Sequence, residues 1–144
     1  MKKETKTRQV HTIAPLYNEA SRILILGSFP SVKSRETGFF YGHPQNRFWK
    51  VLARITGAPA PVSVEEKKAF LLSHGIAVWD VIASCTIQGS SDASIRDVEP
   101  NDLTPILETA RIRGIFTNGG TSDRLYRKYQ EPAVGRPAVR LPST

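Results

Sequence analysis

Residues 22–27 read RILILG, a short apolar run closed by a glycine. The run does not alternate, so it predicts a strand buried on both faces, the pattern of a parallel sheet. A second such run, IAVWDVI, starts at Ile76. A third, GIFTNGG, ends in a glycine pair, and AVRLPST at the end of the chain predicts a last strand. Between them lie helical patterns. NRFWKVLARI places Phe48, Leu52 and Ile55 on one face and Arg47, Lys50 and Arg54 on another, with Asn46 suited to the N-cap. VEEKKAFLLSHG follows Ser63 as N-cap, carries acids in its first turn and stops at Gly75. DLTPILETARI has Pro105 near its start, and TSDRLYRKYQ is expected to be capped by Thr121 or Ser122. This alternation predicts a three-layer α/β/α fold around a four-stranded, mostly parallel sheet. The stretch ASCTIQGSSDASIRDVEPN is expected to be a long polar loop.

Composition bounds the class. The chain has 144 residues, enough for one domain with a hydrophobic core, and 40% of them are apolar. Residues 1–21 are read as a basic N-terminal segment and 22–144 as the α/β domain. No apolar run reaches membrane-span length, and MKKETKTRQVHTIAPL has no secretory h-region, so a cytoplasmic protein is expected, nucleoid-associated if prokaryotic, with no membrane partner. Cys85 is the single cysteine, which rules out an internal disulfide and a cysteine-based zinc site, and it is expected to be a small buried hydrophobe. A net charge of +7 and a pI near 9.9 favour a polyanionic partner, with nucleic acid first. A solvated basic face is the plainer alternative.

In sheets of this kind ligands bind beyond the carboxyl ends of the strands. The longest connection there, residues 28–45, is SFPSVKSRETGFFYGHPQ. Within eleven residues it and the helix after it bring Phe39, Phe40, Tyr41, His43, Asn46, Phe48 and Trp49 together. Tyr41 and Phe40 are read as stacking platforms for a base, or as local packing. His43 is a phosphate contact, or a histidine bonded within a loop stiffened by Pro44. Phe48 and Trp49 read as core. Asp80, just after a buried strand, is a candidate site acid or an ordinary loop-starting residue. TNGG, with Asn118, is an anion-binding turn or simply a tight one. Arg124, Arg127 and Lys128 form a phosphate patch or, as the default, a solvated helix face. No P-loop, GxGxxG, HExxH or GxSxG pattern is present.

GSFPSVKSRETGFFYGHPQNRFWKVL, Gly27 to Leu52, resembles the first motif region of the uracil-DNA glycosylase superfamily. It is related to the mismatch-specific uracil and thymine glycosylases, with their GINPG-type motif followed by HPxNRFWK. It is more similar to the hypoxanthine-DNA (deoxyinosine) glycosylase branch, which GIAVWDVIASC, IFTNGGT and LPST also resemble. The likeness runs from about Arg22 to the end. It implies a metal-free, cofactor-free enzyme of base excision repair. Such an enzyme flips a deaminated base, hypoxanthine first and uracil second, out of double-stranded DNA and hydrolyses its glycosidic bond. A monomer is expected. By the same resemblance Tyr41 stacks on the base, Ser28, Phe29 and Ser31 shape the first loop, and a backbone amide there takes a base carbonyl. Asp80 is placed with the base-binding group. Asn46 positions water, with Asn118 the second polar candidate. Ser31, His43, Arg47, Lys50, Pro142 and Ser143 are expected on the DNA side. Phe29 occupies the position at which the mismatch-specific branch carries its water-positioning Asn. The chain stops at Thr144 inside the last family motif, so a DNA-penetrating loop and a helix are expected to be missing. No lysine is placed for a Schiff base, so strand cleavage is not expected. Two further readings stand beside this one: a non-catalytic or degenerate DNA-binding module of the same fold, and a Rossmann-like enzyme acting on a free nucleotide.

Overall fold

Leu24 and Leu26 of β2 (Ile23–Gly27) pack into one core and Ile25 into another, one on each face of the strand. A strand buried on both sides needs helices on both sides. The computed structural model describes residues 7–11, 13–43, 45–88 and 91–144, apart from the side chains of Thr7, Val32, Lys33 and Asp92. In it β2 pairs in parallel with β3 (Ile76–Asp80) and with β6 (Gly114–Asn118), and β6 pairs in parallel with β7 (Val139–Leu141). The strand order is β3-β2-β6-β7, so the sheet is four-stranded as expected, and wholly parallel.

The core on Ile25's face is aromatic. Phe48 and Trp49 of α2 (Phe48–Thr56) and Phe70 and Leu71 of α3 (Val64–Ser73) are buried there against Val78, with Phe39 and Phe40. The opposite core takes Ile106 from α4 (Thr104–Thr109) and Leu125 and Tyr126 from α5 (Gly120–Tyr129), with Cys85 buried among them. A four-residue helix, α6 (Glu131–Val134), follows α5.

Local chemistry sets the helix ends. Ser63 Oγ accepts the Glu66 N–H, as its position predicts. Asn46 Oδ1 accepts the Phe48 N–H at 2.9 Å, so it does cap the first turn of α2, although Arg47 is the boundary residue. α5 departs from expectation. Its N-cap is Gly119 at φ +98°, not Thr121 or Ser122, and Ser122 Oγ instead donates back to the Gly119 carbonyl.

Two segments expected to be loops are not. The stretch after Asp80 is not a polar loop. It forms β4 (Ile82–Ile87) and β5 (Arg96–Pro100), which with β1 (Thr7–Val10) make an antiparallel sheet of order β1-β4-β5. β5 is an edge strand, largely exposed and ending in a proline, so it carries no apolar signature. The long first connection also contains a helix, α1 (Val32–Thr37), whose Ser31 cap accepts the Ser34 N–H. Six residues without an apolar stripe leave nothing for periodicity to detect. Residues 7–17, read as part of a basic lead-in, supply β1 and a bridge from Leu16 to Val78 on the outer edge of β3.

The chain leaving β3 is held at several points. Val81 and Ile82 N–H groups bond to the Gly27 and Ser28 carbonyls. Asn101 Nδ2 bonds to the Asp80 and Ile82 carbonyls, and Gln130 Nε2 to those of Val81 and Asn101. Asp80 therefore stands on a rigid backbone beside Gly27, its partner in register.

Candidate active site

The sheet order reverses between β2 and β6, which makes their carboxyl ends the switch point where such folds bind ligands. A cavity of about 180 Å³ opens there. Its walls come from every element that ends at that edge. The turn after β2 gives Gly27, Ser28, Phe29 and Ser31, and the aromatic loop gives Phe40 and Tyr41. Asn46 precedes α2, Asp80 closes β3, Asn118 closes β6, and Ser143 and Thr144 follow β7.

Asp80 is the buried charge of the site. Its side chain is 6% exposed, and Oδ2 lies 2.8 Å from Nε2 of His11, itself 2% exposed. His11 Nδ1 accepts the Ile13 N–H at 3.2 Å, so the ring proton sits on Nε2 and is donated to the carboxylate. The other carboxylate oxygen, Oδ1, lies against Gly27. A Cβ built on Gly27 would overlap it and come within 3.4 Å of Tyr41 Oη.

Tyr41 is strained and incompletely satisfied. Its φ is +51°, a left-handed backbone that a bulky residue adopts only when its surroundings impose it. Those surroundings are the Trp49 Nε1–H on the Tyr41 carbonyl, the Gly42 N–H on Ser34 Oγ, and Phe48 stacked on the phenol ring with centroids 3.9 Å apart. The buried hydroxyl has no hydrogen-bond partner among the described residues. Burial, and next the Asp80 charge, push the phenol well above its ordinary range, against a smaller pull from the Asn118 amide. Replacing Tyr41 with phenylalanine removes a buried, unpaired hydroxyl, so the melting temperature should rise by an amount equivalent to about 1 kcal/mol. The raised phenol also gives a pH dependence. The unfolded tyrosine ionises near pH 10 and the folded one higher, so its contribution is complete below about pH 10 and declines as pH rises further. Tyr126 shifts in the same direction and should add to the decline. Melting curves from pH 8 to 11.5 should show stability falling less steeply in Tyr41→Phe than in the parent chain.

The two asparagines differ in freedom. Asn118 is tied to Thr144 through both ends of its amide: Nδ2 donates to Thr144 Oγ1 at 3.0 Å and Oδ1 accepts the Thr144 N–H at 3.2 Å. Asn46 spends Oδ1 on its cap and leaves Nδ2 with no partner among the described residues. An amide N–H₂ held by its own carbonyl is a positioned donor.

Of the residues singled out from sequence, Ser28, Phe29, Ser31, Tyr41, Asn46, Asp80, Asn118 and Ser143 converge on the cavity. His43 does not line it. It is exposed, and its Nδ1 accepts the Gln45 N–H. Pro44, invoked as its stiffener, lies outside the described residues. Arg47 and Lys50 are exposed on the first turn of α2. Pro142 lines a neighbouring apolar groove of about 380 Å³ with Val51, Leu52, Ile55 and Leu141. Phe48 and Trp49 are core, as expected. The glycine pair of TNGG is a seat for the chain end, because a Cβ on Gly120 would meet Arg140 Nη2 at 2.7 Å and one on Gly119 would meet Ser143 Cβ at 3.1 Å. Sequence reasoning missed His11, Ser34 and Thr144. His11 had no signal, because its partner lies 69 positions away.

A parallel α/β/α sheet with an asparagine, a buried carboxylate and an aromatic wall at its switch point defines a class of ligand-binding enzyme folds. Comparison with known proteins makes the family specific. The family model of the uracil DNA glycosylase superfamily matches residues 14–142. A hypoxanthine DNA glycosylase of Methanosarcina acetivorans is 38% identical over 104 residues, 71% of this chain and 66% of that protein. One from Methanosarcina barkeri is 32% identical over 110 residues, 75% of this chain and 70% of that protein. The chain thus spans about two thirds of the length of these curated relatives. The solution NMR structure of a candidate uracil DNA glycosylase from M. acetivorans superposes with a TM-score of 0.80 at 30% identity, covering 95% of this chain and 84% of that one. The chain belongs to the uracil DNA glycosylase superfamily, as the motif resemblance implied.

Proposed function

We propose that this chain is a monofunctional DNA glycosylase that hydrolyses the glycosidic bond of deaminated bases in double-stranded DNA, hypoxanthine ahead of uracil. The relatives' names support the reaction class. The observation that carries the substrate class is the buried Asp80 carboxylate with Oδ1 at the cavity wall. A carboxylate only accepts hydrogen bonds. Adenine and cytosine carry a ring-nitrogen lone pair where hypoxanthine and uracil carry an N–H, so deamination creates the donor that Asp80 wants. An apolar cavity of about 150 Å³ is known to take a benzene ring, so one of about 180 Å³ suits a single heterocycle. The base must leave the stack to reach it, which costs a few kcal/mol and least at a mispaired base.

In this reading Tyr41 and Phe40 face the flipped base, and the unpaired Tyr41 hydroxyl and a backbone amide near Ser28 meet its carbonyl. Asn46 Nδ2 holds the attacking water near the sugar, where oxocarbenium character develops. Arg47 and Lys50 take backbone phosphates, and Ser31, Pro142 and Ser143 approach the strand. The protein works as a monomer on chromosomal DNA in the cytoplasm.

The test is base release from labelled duplexes carrying one hypoxanthine, uracil, xanthine or adenine, read by alkaline cleavage of the abasic site. Release should follow the ring N–H and be absent at adenine. Asp80→Asn should lower hypoxanthine release at least tenfold, since an amide in that place can present a donor to a donor. No release from any duplex, with binding that still falls steeply with salt, would favour the non-catalytic module, a reading that Phe29 in the wall motivates. Arg47→Ala and Lys50→Ala should each weaken binding to damaged and undamaged DNA alike and reduce the log–log salt slope by about one. Displacement of DNA by free nucleotide at low concentration would instead support the nucleotide-enzyme reading.

A further inference from the structure

We infer that His11 is a positioning residue for the Asp80 carboxylate, supplied by a segment outside the span matched to the superfamily. The inference rests on the reading of the cavity as a base-release site. The matched span begins at residue 14, three residues beyond His11. His11 follows β1, and its own N–H is anchored on the Ala83 carbonyl at 2.7 Å. Its imidazole stands within an aromatic box, edge-on to Phe29 and Trp79 at 6.0 and 6.2 Å and tilted against Phe40. These rings leave it few orientations. The Ile13 N–H occupies Nδ1, so the one proton the ring can donate goes to Asp80 Oδ2.

The terminal torsion of an aspartate is broad, so hydrogen bonding largely sets the angle of its carboxylate plane. Here Oδ2 is tied by His11 and Oδ1 is left for the cavity beside Gly27 and the unpaired Tyr41 hydroxyl. No other side chain among the described residues bonds to the Asp80 carboxylate, so His11 sets the angle at which its second oxygen faces a bound base. His11 touches no reacting atom. Its role is to hold an acceptor still, and an acceptor displaced by about 1 Å can cost about a hundredfold in rate.

The experiment is a double-mutant cycle on the full chain, read as single-turnover release of hypoxanthine well below the melting temperature of each variant. His11→Ala should lower the rate about 10- to 100-fold while changing duplex affinity less than threefold. His11→Gln, whose amide N–H₂ can still donate to Oδ2, should recover much of the loss. In an Asp80→Ala background, His11→Ala should change the rate by less than twofold, because there is no carboxylate left to aim. Losses that multiply in the double variant, or no rescue by glutamine in a chain that melts normally, would overturn the inference and leave His11 a packing residue. Imidazole ¹⁵N spectra give a readout independent of activity. The ring should carry its proton on Nε2 and its resonances should move in Asp80→Ala. A ring protonated on Nδ1, or one indifferent to Asp80, overturns the inference by itself. If the parent chain releases no base at all, the proposed function fails and these spectra alone decide the role of His11.

Discussion

Gly27→Ala should abolish measurable base release, a loss of at least a hundredfold, while destabilising the fold by about 1–3 kcal/mol, the usual range for an added methylene in a packed site. The reason is steric. The new methyl would occupy the position of Asp80 Oδ1, so either the carboxylate rotates away or the strands part. The strands are held in parallel register through Gly27 and Asp80 and clamped beyond it by Asn101 and Gln130, so the side chain must give. Rotation breaks the His11 contact and turns the acceptor out of the cavity. Circular dichroism should show a folded chain, and the loss should fall on the rate far more than on DNA affinity. Near-normal activity in a folded Gly27→Ala chain would remove Asp80 from the site.

Asn46→Ala should lower the single-turnover rate at least a hundredfold, because its Nδ2 is a donor at the cavity, positioned by its own capping carbonyl, with no partner among the described residues. The same change removes a helix cap, which costs about 1 kcal/mol. Asn46→Asp separates the two effects. The aspartate keeps the cap oxygen, and with it the stability, but has no N–H to donate. It should melt like the parent and still be slow. Asn118→Ala is the control: an amide engaged at both ends with Thr144 should loosen the chain end and lower the rate only modestly. If Asn118→Ala proves the more damaging, the catalytic donor has been placed on the wrong asparagine.

The parallel sheet was legible because β2 and the first four residues of β3 are apolar without interruption, the pattern of a strand covered on both faces. The cavity's place followed from it, since strand ends define where a site sits. Asn46 was legible as a cap and as a donor, and both roles use the same side chain. The second sheet was not legible, because β5 is a charged edge strand and β4 takes its other partner, β1, from far back in the sequence. The demand on Gly27 was hidden for another reason. Its φ is unremarkable, and only the tertiary approach of Asp80 makes it irreplaceable. Tyr41 stood out as an aromatic, but its left-handed backbone could not be read from a bulky residue type that seldom adopts one.

The cavity draws on Gly27, Tyr41, Asn46, Asp80, Asn118 and Ser143, with His11 behind them, which is nearly the whole length of the chain. Contacts between distant residues form late in folding, because loop closure must precede them. The helices can form early, yet no partial arrangement of them contains a working site. Competence to remove bases should therefore appear in a single step with the native state, and refolding followed by base release should lag refolding followed by helix content.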